Sequence, residues 1–128
     1  MKRILIIGGE ETIKGIRAIF RKSEYILDYA PNQDEYKRRI GKEDYVGVII
    51  PELRVPGENA TIEEPCMAGF EVIEDLSKRG IPVLAISGDS PYINKKAMDL
   101  GARVLRMPTI PFEKIFSEFQ EMVGDKIK

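Results

Sequence analysis

The residues of this chain that could do chemistry gather at the ends of apolar runs. The first such place is RILIIGGEE, residues 3–11, where a hydrophobic run breaks on Gly8 and Gly9 and passes into Glu10 and Glu11. A strand that turns into a helix at such a point is a common seat for a phosphate or a metal ion, because the orphan N–H groups of a helix start attract anions. The other candidates are Glu52 after the third apolar run, Ser87 after the fourth and Met107 after the fifth. The glycine pair reads either as a phosphate-cradling loop or as a tight turn stripped of side chains. The spacing is not G-x-G-x-x-G, and Glu10 and Glu11 would repel a phosphate there, which favours the turn.

Those candidates must be positioned by the elements between them. Residues 3–7, 46–50 and 82–86 are short, largely apolar runs of strand length, and residues 25–29 and 103–106 read as two further short strands. Residues 12–22 carry Ile13, Ile16, Ile19 and Phe20 at helical spacing, with Thr12 as the expected N-cap. Asn32 is placed to cap a helix that runs to Ile40 and stops at Gly41, and residues 69–78 present Phe70, Ile73 and Leu76 on one helical face. Ser90-Pro91 opens a helix that ends at Gly101, and Pro111 opens a last one bearing Ile115, Phe119 and Met122. Strand and helix therefore alternate. Strands that are apolar throughout belong to a parallel sheet covered on both faces, and right-handed crossovers make it doubly wound. Such sheets bind ligands beyond the C-terminal strand ends, which puts Gly8, Gly9, Pro51, Glu52, Ser87 and Met107 around one spot.

Composition narrows the function classes. The 128 residues suit one domain, 43% apolar and 32% charged, with 20 basic and 21 acidic side chains giving a net charge of −1. That balance offers no general attraction for nucleic acid or an acidic membrane. The chain has no His and one Cys, Cys66, so an internal disulfide, a Cys/His zinc site and a His-based triad are excluded. With no signal-like core after Met1 and no apolar run long enough for a span, a cytoplasmic location is expected.

One connection is too long. About 18 residues separate Ile50 from the helix near Gly69, where roughly two to six are usual. Its middle, GENATIEEPC, is acidic and without hydrophobic period. It reads as a solvated loop or as a lid over the mouth of the sheet, with Ile62, Pro65, Cys66 and Met67 forming an apolar side.

The whole pattern resembles the receiver domain of response regulators, the CheY-like family. The resemblance rests on KRILIIGGEE, VPG after the third strand, MAGFEVIEDL, AISG, LGARVL and MPTIPFEKI, in that order. It implies a flavodoxin-like α/β fold over residues 1–128, a five-stranded parallel sheet of order 2-1-3-4-5, and an insertion at about 57–66. It also implies a Mg²⁺-dependent phosphorylation site, and there the chain departs. The acid pair of the family falls on Gly8 and Gly9, the acceptor aspartate on Glu52 and the lysine on Met107; only the hydroxyl is kept, as Ser87. The resemblance further implies a cis peptide at Met107-Pro108.

The departures have physical consequences. Phosphoryl transfer needs cations to neutralise the equatorial oxygens, and Mg²⁺ prefers oxygen ligands that include one or two carboxylates. Glycines offer only main-chain groups, and Met107 carries no charge. Two carboxylates about 4 Å apart without a metal repel by about 4 kcal/mol at an effective dielectric near 20, so a mouth that holds no metal has no reason to keep an acid cluster. Glu52 reads as a solvated acid or as a partial imitation of a phosphoaspartate, with a charge of about −1 against roughly −1.5 to −2. Arg106, beside Met107, could substitute for the lysine, but strand alternation turns it to the other face.

The expected function is a pseudo-receiver: a non-enzymatic signalling domain that works by protein contact in a two-component-type system, with no cofactor. The implied partner is a protein, such as a histidine kinase or an output protein, or a second copy of the chain, and not nucleic acid or membrane. The resemblance implies a partner face carrying Ile93, Ala97, Arg103 and Phe112. Two other readings remain open at this stage: an atypical regulator phosphorylated with Mg²⁺ through Glu10 and Glu52, and a small-molecule or nucleotide sensor binding at Gly8-Gly9.

Overall fold

A computed structural model describes residues 2–8, 10–51, 67–87, 91–106 and 114–124, and of residues 10–12, 67 and 68 it describes the backbone alone. The order is β1 (Arg3–Ile7), α1 (Glu10–Ile19), β2 (Ile26–Ala30), α2 (Gln33–Ile40), β3 (Tyr45–Ile50), α3 (Met67–Lys78), β4 (Val83–Ser87), α4 (Pro91–Asp99), β5 (Arg103–Arg106) and α5 (Lys114–Val123). The five strands form one sheet in the order β2-β1-β3-β4-β5, and every neighbouring pair is parallel. The doubly wound sheet expected from the alternation is therefore present, with its expected strand order.

Strand alternation splits the core into two layers. Leu5, Ile7, Val48, Ile50, Val83 and Ala85 face α2, α3 and α4, where they meet Tyr36, Ile40, Phe70, Ile73, Leu76 and Ala97. Ile4, Ile6, Ile49, Leu84, Ile86 and Leu105 face α1 and α5, where they meet Ile13, Ile16, Phe20, Ile115 and Phe119. Both faces of the central strands are thus covered, which is why their buried stretches, 4–7, 48–50 and 83–86, are apolar at successive positions.

Gly47 decides how closely α5 approaches the sheet. A Cβ there would come within 2.8 Å of Phe119 Cζ and 3.0 Å of Val123 Cγ1. Phe119 is fully buried and edge-on to Phe20 and Tyr25, so it cannot swing aside. A side chain at this position would overpack the layer, at a cost of about 1–3 kcal/mol.

Several boundaries differ from the sequence expectation. α1 begins at Glu10, two residues before the expected cap Thr12. The apolar period starts only where the helix meets the core at Ile13, whereas acids are themselves favoured at a helix start. It also ends earlier, at Ile19, with Phe20 to Ser23 closing as turns. β2 and β4 lie one residue later than expected, β3 starts one earlier and α3 two earlier. α2 is as expected: the Asn32 side chain accepts from the Glu35 N–H at 2.9 Å, and Gly41 is the C-cap. α4 stops at Asp99, and the chain leaves it through Gly101 at φ +111°, a conformation that favours glycine. The Pro111 start of α5, the Ser90 cap, the Met107-Pro108 peptide and the 57–66 insertion lie outside the described residues.

Candidate functional site

The mouth of the sheet is formed by the C-terminal ends of β1, β3 and β4, which are adjacent. Ile7 pairs with Ala30, Ile50 with Ala85, and Ser87 with Arg106. Gly8, Pro51 and Ser87 therefore stand together at one end, all three buried. The Gly8 N–H donates to the Ala30 carbonyl at 3.1 Å, so the main chain continues the β1–β2 ladder one residue past the strand. Glu10 opens α1 directly after the turn. Gly9, Glu52 and Met107 lie outside the described residues, as does the Glu10 side chain. Arg106 is exposed at the end of β5.

The donor set among these described groups is neutral: the main chain of Gly8 and Pro51 and the hydroxyl of Ser87. Mg²⁺ sites use one or two carboxylates, and Gly8 places none at the end of β1, where its N–H is already engaged. The described part of the mouth does not fit the ion. Among the described residues no group of three or more His, Cys, Asp or Glu side chains could hold a metal.

On the expected partner face the residues divide. Ala97 is fully buried in the α2/α3/α4 layer and Ile93 packs against it. Ala97 thus belongs to the core and not to the outer surface: the buried side of α4 is centred on Ala97 and Asn94. Arg103 is half-exposed but engaged, its guanidinium bonding the Glu118 carbonyl and carboxylate at 3.3 Å and reaching Glu121 at 3.7 Å. Phe112 lies outside the described residues. The outer side of α4 instead exposes Tyr92, Lys95 and Met98.

The polar contacts that sequence reasoning missed lie on the flank. Between α2 and α3, the buried Tyr36 hydroxyl donates to Asp75 at 2.5 Å and Gln33 Nε2 donates to Glu71 at 2.8 Å. Arg79 donates to the same Asp75 oxygen at 3.0 Å. Burial, then the bond to Asp75, raises the Tyr36 pKa well above the ordinary tyrosine value. Burial alone would raise Asp75, but the hydrogen bonds from Tyr36 and Arg79 outweigh it and hold the carboxyl below its usual value. Near the start of β1, the Tyr45 hydroxyl donates to Asp28 at 2.9 Å and Arg3 reaches both Asp28 and Glu43 at 3.4 Å. Burial, then this bond, pushes Tyr45 up to about 12. For the first cluster the sequence signal is the four-residue spacing of Glu71 and Asp75 on α3 and of Arg79 just past its end.

No family model matches the chain, and no curated protein matches it significantly. Solved structures do. A CheY-like response regulator receiver domain from Methanospirillum hungatei JF-1 is similar over 98% of this chain and 95% of its own, at TM-score 0.77 and 18% identity. A response regulator receiver protein from Burkholderia phymatum is similar over 98% of both chains, at TM-score 0.75 and 20% identity. The receiver domain of the sensor histidine kinase PA1611 from Pseudomonas aeruginosa PAO1 is similar over 96% of this chain and 98% of its own, at TM-score 0.74 and 15% identity. That structure has a magnesium ion coordinated in its active-site cleft. The fold of this chain is thus the CheY-like, flavodoxin-type fold of receiver domains. Among the described residues no helix is long and apolar enough to cross a membrane.

Proposed function

We propose that this protein is a pseudo-receiver, a receiver-like domain of two-component-type signalling that acts in the cytoplasm by protein contact and not by phosphoryl transfer. The observation that carries the reading is the buried Gly8 at the end of β1, whose N–H is tied to Ala30. In a receiver fold this is where an acid begins the metal site, and a glycine supplies no charge. Gly9, Glu52 and Met107 extend the same loss through the sequence. Without Mg²⁺ and a lysine, nothing neutralises the oxygens of a phosphoryl group in flight.

A domain without that switch is read by its surface. Its partner on this reading is a histidine kinase or an output protein, and no cofactor takes part. Calorimetric titration with Mg²⁺ tests the proposal. No binding in the micromolar range is expected; a micromolar site would return Glu10 and Glu52 to a metal-dependent role.

A further inference from the structure

We propose that α4 is clasped to α3 at two heights, so that the domain shows the outer side of α4, with Tyr92, Lys95 and Met98, in one fixed orientation and not as a movable element. The first clasp starts from how α4 ends. The Gly101 N–H donates to the Met98 carbonyl at 3.0 Å and the Ala102 N–H to the Ala97 carbonyl at 3.1 Å, with Gly101 at φ +111°. In this glycine-closed helix end the chain's own N–H groups take up two of the last carbonyls. The Leu100 carbonyl, at the cap itself, is taken up from α3: the Ser77 hydroxyl donates to it at 2.7 Å. Gly101 serves that bond as well as the turn. A Cβ there would come within 2.4 Å of Ser77 Oγ, so a bare position is what leaves room for the hydroxyl.

The second clasp is Lys96, whose Nζ stands 4.8 Å from the ring centre of Phe70. Phe70 is buried in the α2/α3/α4 layer, and Lys96 precedes the fully buried Ala97. An ammonium at that distance is attracted by the negative face of the ring.

The spacing of the two contacts gives them their mechanical effect. Phe70 lies in the first turn of α3 and Ser77 in its last, seven residues or about 10 Å apart along the axis. A single contact would let α4 pivot about it. Two contacts at separate heights oppose both a slide and a tilt, while Asn94 and Ala97 keep the other side of α4 buried. α3 is itself tied to α2 through Tyr36–Asp75 and Gln33–Glu71, so α4 is fastened to an element that is already held. The clasp follows from these contacts alone; its meaning, a surface without a switch, rests on the pseudo-receiver reading of the mouth.

Backbone relaxation dispersion on the full chain is the first test. Flat profiles are expected across α4, and millisecond exchange spread over its amides overturns the proposal. Amide hydrogen exchange then tests the two contacts. Ser77→Ala combined with Lys96→Met should speed exchange in α4 about tenfold, and each change alone about threefold, while α1 stays as it was. Lys96→Arg, which keeps a cation over the ring, should exchange as the parent does. An unchanged α4 overturns the clasp. So does a rise of equal size in α1 and α4, because contacts that serve only global stability speed both alike. A micromolar Mg²⁺ site in the calorimetric titration would end the pseudo-receiver reading and leave these outcomes as they are.

Discussion

The mouth of the sheet and the α2–α3 flank spend their polar groups in opposite ways. At the mouth, Gly8 gives up a side chain and its main chain simply extends the ladder to Ala30. On the flank, Asp75 and Glu71 are each matched by a donor from α2, and Asp75 takes a second from Arg79. On the flank each of these carboxylates has a side-chain donor. At the end of β1 the chain carries Gly8 and Gly9 and no acid pair. The two regions thus differ in their described polar groups: matched side-chain pairs on the flank, main-chain groups and the Ser87 hydroxyl at the mouth.

The largest effect is expected from restoring the mouth. A variant carrying Gly8→Asp, Gly9→Asp, Glu52→Asp and Met107→Lys recreates the charges that the receiver resemblance implies. At a Mg²⁺ concentration 100 times its dissociation constant it should gain about 2.7 kcal/mol of stability, measured by denaturant unfolding. The parent chain should gain nothing measurable from the same addition. A gain in both would erase the contrast between mouth and flank.

On the flank, Tyr36→Phe removes the bond to Asp75 and should cost about 1.5 kcal/mol in the same measurement. The effect depends on pH at both ends of the scale. The folded pKa of Asp75 is depressed, so its stabilisation is complete at neutral pH and fades as pH falls below about 4. Tyr36 and Tyr45 are raised, so theirs is complete below about 10 and is lost as pH rises, for Tyr45 toward about 12. Tyr36→Phe should therefore flatten both limbs of a stability–pH curve. Unchanged slopes would mean that the hydrogen bond is not what sets them.

The smallest effect is expected from deleting residues 58–66, which halves the long connection. Closure entropy then changes by only about 0.6 kcal/mol, and the melting temperature should barely move. Unfolding of the deletion variant would contradict the reading of this segment as a loop outside the core.

These regions also differ in how far the sequence announces them. The sheet is readable because strand segments covered on both faces must be apolar at successive positions, as in residues 4–7 and 83–86. The α2 cap was readable because Asn32 and Gly41 act on their own neighbours. Gly8 stood out because its side chain is missing from a strand end. The Tyr36–Asp75 bond was not readable, because its partners are 39 residues apart and meet only when α2 and α3 pack on one face. Gly47 passed as an ordinary strand residue, since its role depends on Phe119 and Val123 arriving from the last helix. Ala97 was misplaced for a related reason. Family position put it on a partner face, while the rotation of α4, set by packing, turns it inward.

The central claim is that the mouth performs no phosphoryl transfer. Intact-mass measurement after incubation with a small phosphodonor and Mg²⁺ tests it most directly. The account predicts an unmodified chain, while the restored variant, treated in parallel, acquires the mass of one phosphoryl group. A phosphoryl adduct on the parent chain, lost in Glu52→Gln, would contradict it.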